Sequence, residues 1–599
     1  MKGLWGRHRG DSDEEDEGLC EEGEAHGSEC ERTPNGGEVI TLACGHLAGY
    51  TVAHFYNAQL ASALAARDEH QRRLQAAQPG RTFVAPRPVL SDALFAPTRE
   101  SAEYAAAPRA VFVDLHGACF APSVHPVAAA PHVDRTLGAT VPPSAQRVFA
   151  AWSGRVTALS GLPPALAARD PETAAYVRNI LAAASATTTT ATTTATTGGA
   201  RPVAPVASAG SGAAVSAVLQ RPESWGDVLG CGVFPESLCE GRGVTHGADA
   251  WGAWDDAADA TASSTRGVRA AVREAVRRHA ERCDRVCGLQ LVADADSAFA
   301  AVAEALLADI RDEYARSTPV VALGTAALLA PTPAALADVP PTASASSSSL
   351  QRATRLAQRR LCCALAAATW AEHADLVVPL SAGLGPATVA PRSDERACLE
   401  RAAVFALALH GLARPYATPP PECGAAPAGT LADVVATFQP ARFASTVVST
   451  RDAACADASP RYAVRTLTPF ASDRARAPQE QEQERAYAVC AARFGAAVRE
   501  CAVAPAARTR LWDVAGAVAV PASMQGVCAP AAVGALALAA ETRADAAAAA
   551  CLAGLAGALQ PYRRGAARPV GFEQMGGRTV ADLDNALQDL CTAQKYVLQ

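Results

Sequence analysis

Cysteine and histidine are the residues of this sequence with the widest chemical range, since they ligate metals, act as nucleophiles and transfer protons. The chain of 599 residues contains 18 cysteines and 12 histidines. Structural zinc sites use cysteines spaced as C-x-x-C, and the sequence lacks that spacing: Cys283 and Cys287 are four apart, and Cys362 and Cys363 are adjacent. We therefore expect buried, unpaired cysteines in a reducing compartment and no metal site.

The sequence contains two lysines, Lys2 and Lys595, and both lie near its ends, so catalysis by an internal lysine is excluded. A Walker A loop needs G-K-[ST], and kinases and Schiff-base enzymes need an internal lysine, so these classes are excluded. The motifs H-E-x-x-H and G-x-S-x-G are also absent. The only support for an unrelated hydrolase or transferase is the presence of histidines and many acids. We therefore predict a protein that is not an enzyme.

The net charge of −7 arises in residues 1–32, which hold 11 acidic and four basic side chains. The remaining residues carry 49 of each sign. A neutral body lacks the basic surface that binds nucleic acid, so we expect no direct nucleic acid binding. Residues 1–36 are predicted to form a solvated, disordered acidic tail, with a regulatory or partner-docking role as the alternative.

The sequence predicts neither a cleaved leader nor a membrane span. The basic residues at positions 1–9 are followed directly by acids, which is not typical of a mitochondrial transit peptide. The longest apolar stretches, residues 402–413 and 531–540, are too short to cross a bilayer. Any membrane association is expected to be peripheral.

Alternating strands and helices must position whatever site the chain has. Apolar β runs occur at residues 38–44 (EVITLAC), 110–114 (AVFVD), 288–292 (GLQLV), 319–323 (PVVAL) and 376–380 (LVVPL). Helical patterns lie between them, at 269–283, at 352–373 and at 299–314, where apolar residues recur three and four apart. This alternation predicts an α/β fold with a largely parallel sheet flanked by helices, followed by a second, smaller α/β or α+β domain.

Composition divides the chain into five segments. We predict the tail at 1–36, an N-terminal segment at 37–160, a low-complexity linker or insertion at 161–220, a second part of the first domain at 221–390, and a C-terminal domain at 391–599. Residues 583–598 are predicted to form a terminal helix.

Three of these segments resemble the tubulin/FtsZ superfamily. Residues 38–56 (EVITLACGHLAGYTVAHFY) resemble the opening strand, glycine turn and helix of tubulins, and residues 108–124 (PRAVFVDLHGACFAPSV) resemble the second strand and its loop. Residues 288–314 (GLQLVADADSAFAAVAEALLADIRDEY) resemble the strand, phosphate loop and helix that end in I-R-E-E-Y. The G-H-x-A-G-x opening, the V-D-L strand and the I-R-D-E-Y helix end are similar to the Misato family, tubulin-like proteins without the glycine loop. The resemblance covers residues 37–160 and 221–385, and continues more faintly beyond them.

The phosphate loop is where the sequence departs from tubulins. Their loop is G-G-G-T-G-S-G, whereas residues 295–301 (ADSAFAA) contain no glycine. Glycine is needed where the backbone approaches a phosphate closely. Asp294 and Asp296 add negative charge, and like charges about 4 Å apart repel by roughly 4 kcal/mol at an effective dielectric near 20. We therefore expect no cofactor, with GTP binding crippled.

Carried over position by position, the resemblance implies a vestigial nucleotide pocket formed by Gly45, His46, Gly49, Asp114 and Asp433. His46 replaces the glutamine near the phosphate, His116 replaces an acid near the metal, and Cys362 replaces the asparagine that contacts the base. Asp433, within GTLAD, takes the place of the acid that tubulins supply to a neighbouring subunit's nucleotide. Each residue also has a structural explanation, as a turn glycine, a surface or capping histidine, or an acid at a helix start.

The resemblance to the Misato family implies a role in mitochondrial distribution and morphology, and in partitioning mitochondria and mitochondrial DNA at division. It implies protein partners, either cytoskeletal or the chaperonin that folds tubulins, with peripheral association at the cytosolic face of the mitochondrial outer membrane and a cytoplasmic pool. The alternative is an active GTP-binding, polymerising protein of the tubulin/FtsZ class.

Overall fold

The structure of this chain is a computed structural model. It describes residues 37–77, 90–97, 106–115, 225–229, 231, 233–241, 268–297, 299–314, 316–326, 347–381, 394–417, 429–452, 463–467, 486–494, 506–514, 518–519, 521, 524, 535–563, 585–586, 588–592 and 595. The strands are β1 (Glu38–Cys44), β2 (Phe95–Pro97), β3 (Ala106–Pro108), β4 (Ala110–Leu115), β5 (Leu238–Gly241), β6 (Val286–Asp294), β7 (Val320–Ala326), β8 (Leu376–Ser381), β9 (Ser445–Asp452), β10 (Ala463–Thr466), β11 (Ala486–Phe494), β12 (Ala506–Val514), β13 (Val518–Ala519) and β14 (Ala535–Ala544). The helices are α1 (His46–Ala77), α2 (Trp225–Val228), α3 (Val268–Glu281), α4 (Phe299–Glu313), α5 (Ser347–His373), α6 (Asp394–Ala413), α7 (Leu431–Phe438) and α8 (Ala546–Arg563).

Six apolar strands pair in parallel, in the order β5-β4-β1-β6-β7-β8. The first strand is central, the next two of this sheet lie on one side of it, and the last three lie on the other. This is the strand order 3-2-1-4-5-6 of doubly wound α/β proteins. The predicted parallel sheet is therefore confirmed.

Both faces of this sheet are buried, which explains why its strands are continuously apolar. Val39 and Ala43 of β1 pack with α1 and α6 on one face, whereas Ile40, Leu42 and Cys44 pack with α3, α4 and α5 on the other. The alternation follows from the two-residue period of a strand. Helices on both sides give the flanked sheet that the sequence predicted.

The second sheet is mixed, in the order β10-β9-β14-β11-β12, with only the β11–β12 pair parallel. Helix α6 packs on α1 and also on β14. A methyl group added at Gly411 would lie 2.2 Å from the Cβ of Ala540, so small residues set this close approach. The described residues of Gly36–Gln599 belong to one compact unit.

The sequence-based segment boundaries stay predictions. The acidic tail, the 161–220 segment and His116 lie outside the described residues. The described positions of 585–592 are helical, as expected for a terminal helix. No helix within the described ranges is long and apolar enough to cross a membrane.

Candidate functional site

The order of the parallel sheet reverses between β1 and β6, and the carboxyl ends of these two strands lie side by side. In doubly wound sheets, ligands bind in the crevice outside such a switch point. Because Cys44 pairs with Ala293, the next residues along each chain segment, Gly45 and Asp294, are neighbours. We call this place the switch-point crevice, and it is the candidate functional site.

Gly45 is the residue at which β1 turns into α1. Its φ is +107°, a region that residues with a side chain rarely adopt. Its amide donates to the carbonyl of Val113 at 2.8 Å, and its own carbonyl accepts from the amide of Gly49 at 2.8 Å. Gly45 is therefore the N-cap residue of α1, and it has no side chain with which to cap the helix.

The missing cap of α1 is supplied by Asp294, from the neighbouring strand. Its Oδ2 accepts from the amide of Leu47 at 3.1 Å, and its Oδ1 accepts from the amide of Ala48 at 2.8 Å. The hydroxyl of Thr325, in β7, donates to Oδ1 at 2.8 Å. A Cβ at position 45 would lie 2.4 Å from Asp294 Oδ2, so the carboxyl group occupies the space that a side chain there would fill.

The start of α4 is capped in a similar way, by Ser297 in the glycine-free loop that follows β6. Ser297 Oγ accepts from the amide of Phe299 at 3.3 Å and donates to the carbonyl of Asp294 at 3.1 Å. The amide of Ala295 donates to the carbonyl of Thr325 at 2.8 Å. The amides of Ala295 and Phe299, which a phosphate at this helix start could otherwise use, are thus bonded within the chain.

Asp114, next to the last residue of β4, lies on the other side of Gly45, and it is fully buried. Its Oδ2 accepts from Trp225 Nε1 at 3.2 Å and lies 3.4 Å from His46 Nδ1. The indole of Trp225 stacks on Phe112 with a centroid separation of 4.2 Å. These contacts fix the start of α1 against β4.

Gly49 belongs to the same assembly, one turn into α1. A Cβ there would lie 2.6 Å from Trp225 Cδ1, so glycine is required for the helix to approach the indole. Gly45, His46, Gly49 and Asp114 are therefore brought together, and the role of Gly49 is packing.

Burial dominates the electrostatics of the crevice. It raises the pKa of Asp294 to about 7, with the negative charge of Asp296 as the next cause. The hydrogen bonds from Thr325 and Ala48 lower the pKa of Asp294 and oppose this shift, without overcoming it. Burial and the nearby Asp294 raise the pKa of Cys44 well above its ordinary value, so this thiol stays protonated.

Asp433 does not lie in the crevice. A Cβ at Gly288 would lie 2.5 Å from Leu431 Cδ2, which places the start of α7 near the amino end of β6. The strand between Gly288 and Asp294 spans about 20 Å, so Asp433 is at the opposite edge of the sheet. There it forms a capping box with Thr430: the amide of Thr430 donates to Asp433 Oδ2 at 2.7 Å, and Thr430 Oγ1 accepts from the amide of Asp433 at 3.3 Å. The hydrogen bonds that the amide and the hydroxyl of Thr430 donate to the carboxyl group lower the pKa of Asp433.

Cys362, which was expected to replace a base-contacting asparagine, is a buried thiol of α5 in the core beneath the sheet. Burial raises the pKa of this thiol. Among the residues whose placement is described, no group of three or more cysteine, histidine or acidic side chains could hold a metal ion.

Three contacts of the crevice were not predicted from the sequence. They are the capping of α1 by Asp294, the hydrogen bond from Thr325 to Asp294 and the hydrogen bond from Trp225 to Asp114. Asp294 carried a usable signal, because it follows the apolar run of β6 and parallel strands end at one edge. Thr325 and Trp225 carried none, since each depends on where distant segments pack.

The fold and the crevice define a class: a doubly wound α/β protein in which one of its own carboxyl groups caps the helix start at the switch point. No protein-family model matches this sequence, and no curated protein matches it at a significant level.

Proposed function

We propose that this chain is a non-enzymatic, tubulin-like protein whose nucleotide crevice is closed by its own side chain. The observation that carries the proposal is the contact of Asp294 with the amides of Leu47 and Ala48. A doubly wound protein that binds phosphates presents free amides at such a helix start. Here a carboxyl group already uses them.

GTP does not fit the residues present. A phosphate at the start of α1 would have to displace Asp294, whose carboxyl group is bonded on both oxygens and buried. It would also face Asp114 and Asp296, and each ionised acid at about 4 Å would repel it by roughly 4 kcal/mol at an effective dielectric near 20. At the α4 start, a phosphate would have to displace Ser297 from the amide of Phe299.

The cellular role rests on the resemblance to the Misato family. We infer that the chain acts in mitochondrial distribution and morphology, and in partitioning mitochondria and mitochondrial DNA. A neutral body and a closed crevice suit a scaffold that acts through protein partners, cytoskeletal or chaperonin, rather than through turnover or nucleic acid binding. In this proposal it resides in the cytoplasm and peripherally at the cytosolic face of the mitochondrial outer membrane.

Nucleotide titration separates this proposal from an active GTP-binding polymer. Three proteins are titrated with GTP and Mg²⁺ in a calorimeter and melted with and without GTP: the wild type, Asp294→Gly and Asp312→Asn. The last is the matched control, because it changes an exposed acid of α4. Wild type and control should show no saturable heat and no thermal shift. Saturable binding by wild type, with a melting temperature that rises with GTP as mass action requires, refutes the closed crevice.

The cellular role has its own test. Depletion of the protein, followed by imaging of mitochondrial shape and inheritance, should give altered networks that wild-type protein restores. An unchanged network would remove the mitochondrial role and leave the closed crevice untouched.

A further inference from the structure

The hydroxyl of Thr325 lies between two acceptors at the closed crevice. Thr325 Oγ1 is 3.1 Å from the carbonyl oxygen of Ala293 and 2.8 Å from Asp294 Oδ1. A hydroxyl has one proton to donate and lone pairs with which to accept. It can therefore donate to Asp294 when that group is ionised, or donate to the carbonyl of Ala293 and accept a hydrogen bond from the O–H of Asp294 when that group is neutral.

The amides at the α1 start have no such choice. Leu47 and Ala48 can only donate, so they favour the ionised carboxyl group of Asp294. If Oδ1 carries a proton, it becomes a poor acceptor for the amide of Ala48. The two protonation states of Asp294 thus differ in how firmly the first turn of α1 is held.

Titratable and charged groups face Asp294 and the adjoining loop from every neighbouring element. Those that interact with Asp294 itself are Asp296 from the loop after β6, Asp114 from β4, Cys44 from β1 and Cys398 from α6. Around them, His46 of α1 lies beside Asp114, Arg401 of α6 interacts with Cys398, and Cys362 and Cys363 of α5 interact with Asp296 and with Arg359. The acids and burial favour the neutral form of Asp294. With a pKa of about 7, both forms of Asp294 are populated near neutral pH.

We propose that Asp294 and Thr325 form a proton-controlled latch on the start of α1. In the ionised form, Asp294 holds Leu47, Ala48 and Thr325 together. On protonation, Asp294 Oδ1 donates to Thr325 Oγ1, the Thr325 proton turns to the carbonyl of Ala293, and the amide of Ala48 loses its acceptor. No proton is lost or gained other than the one taken up by Asp294. The proposal rests on the closed crevice proposed above, and adds its regulation.

Hydrogen exchange of a peptide that spans residues 45–52 tests the latch. After correction for intrinsic rates, wild type should exchange the Ala48 amide about tenfold faster below pH 7 than above it. Asp294→Asn, which mimics the neutral acid, should exchange fast at every pH, and Thr325→Val should move the midpoint while Thr325→Ser preserves it. Asp296→Asn should lower the midpoint, because the charge of Asp296 raises the pKa of Asp294.

A second measurement covers variants that do not fold. In difference infrared spectra of the wild-type protein, the carbonyl stretch of a protonated, buried carboxyl group should grow as pH falls through 7. A corrected exchange rate that does not change with pH overturns the latch, as does a midpoint that persists in Asp294→Asn. GTP binding by wild type in the calorimeter would instead reject the closed crevice, so the two failures are distinguishable.

Discussion

Replacing Gly45 with alanine probes the crevice at its tightest point. The added methyl group would sit 2.4 Å from Asp294 Oδ2, on a residue whose φ is +107°. Neither strain can be relieved by a small shift, because the backbone of Gly45 is bonded to Val113 on one side and to Gly49 on the other. We expect Gly45→Ala to push Asp294 off the start of α1.

Two contributions set the magnitude. An alanine at positive φ costs about 1–2 kcal/mol. Displacing Asp294 forfeits the bonds to the amides of Leu47 and Ala48, which together are worth roughly 3 kcal/mol when the carboxyl group is ionised. The free energy of unfolding should therefore fall by about 4–5 kcal/mol above pH 7.

A double-mutant cycle with Asp294→Ala separates the two contributions. Once the carboxyl group is gone, the added methyl group still lies 2.9 Å from the Cβ of residue 294. Gly45→Ala should then cost its backbone strain of about 1–2 kcal/mol and a smaller residual clash, which leaves a coupling free energy of up to about 3 kcal/mol. Urea denaturation measures the totals. Exchange of the Gly49 amide, which bonds to Gly45 in the native structure, reports the same turn locally. Strictly additive costs would show that Asp294 does not occupy the space above Gly45.

Three further changes test contacts elsewhere in the structure, at Gly49 in α1, at the buried His410 of α6 and at Asp433 of α7. Gly49→Ala should lower stability by about 1–3 kcal/mol, because its methyl group overpacks the indole of Trp225; an unchanged melting temperature would contradict this packing. Burial lowers the pKa of His410 from 6.5 to about 3, so between these pH values the unfolded chain binds a proton that the folded chain does not. The free energy of unfolding should therefore fall as pH drops below 6.5, by up to ~1.4 kcal/mol per pH unit. In melts across this range, His410→Leu should flatten that slope, and a slope equal to wild type would refute the assignment. Asp433→Ala should cost about 1 kcal/mol through the lost capping box with Thr430, measured by urea denaturation, and a null result would free Asp433 for another role.

The parallel sheet was predictable because burial on both faces leaves a strong pattern. The run EVITLAC is apolar enough to be found without any relative, and β1 occupies the predicted residues. The second sheet left no comparable signal. Its strand β14 reads ALALAAETRA, and alanine favours helix, yet hydrogen bonds to β9 and β11 on both sides make it a strand.

The crevice was predictable in composition and not in geometry. Sequence reasoning placed Asp294 beside a loop without glycine and expected it to repel phosphate. It did not show that the carboxyl group points back at α1, because that direction depends on the pairing of β1 with β6 and on the empty space at Gly45. Gly45 and Asp294 are 249 positions apart, and neither alone indicates the other.

The contact of Asp294 with the start of α1 explains how the first amides of this helix are satisfied by the chain itself. The first amides of a helix must be satisfied by a side chain, by water or by a ligand. Gly45 removes the local side chain, which in a nucleotide-binding protein leaves those amides to the phosphates. In this chain Asp294 takes their place, and Thr325 ties the same carboxyl group to β7. In the proposed closed crevice, this one carboxyl group both stabilises the start of α1 and excludes anions from it, so a variant that reopened the crevice would lose stability through the same contacts. The two properties cannot be changed separately at this position, and partner binding would have to use other surfaces of the protein.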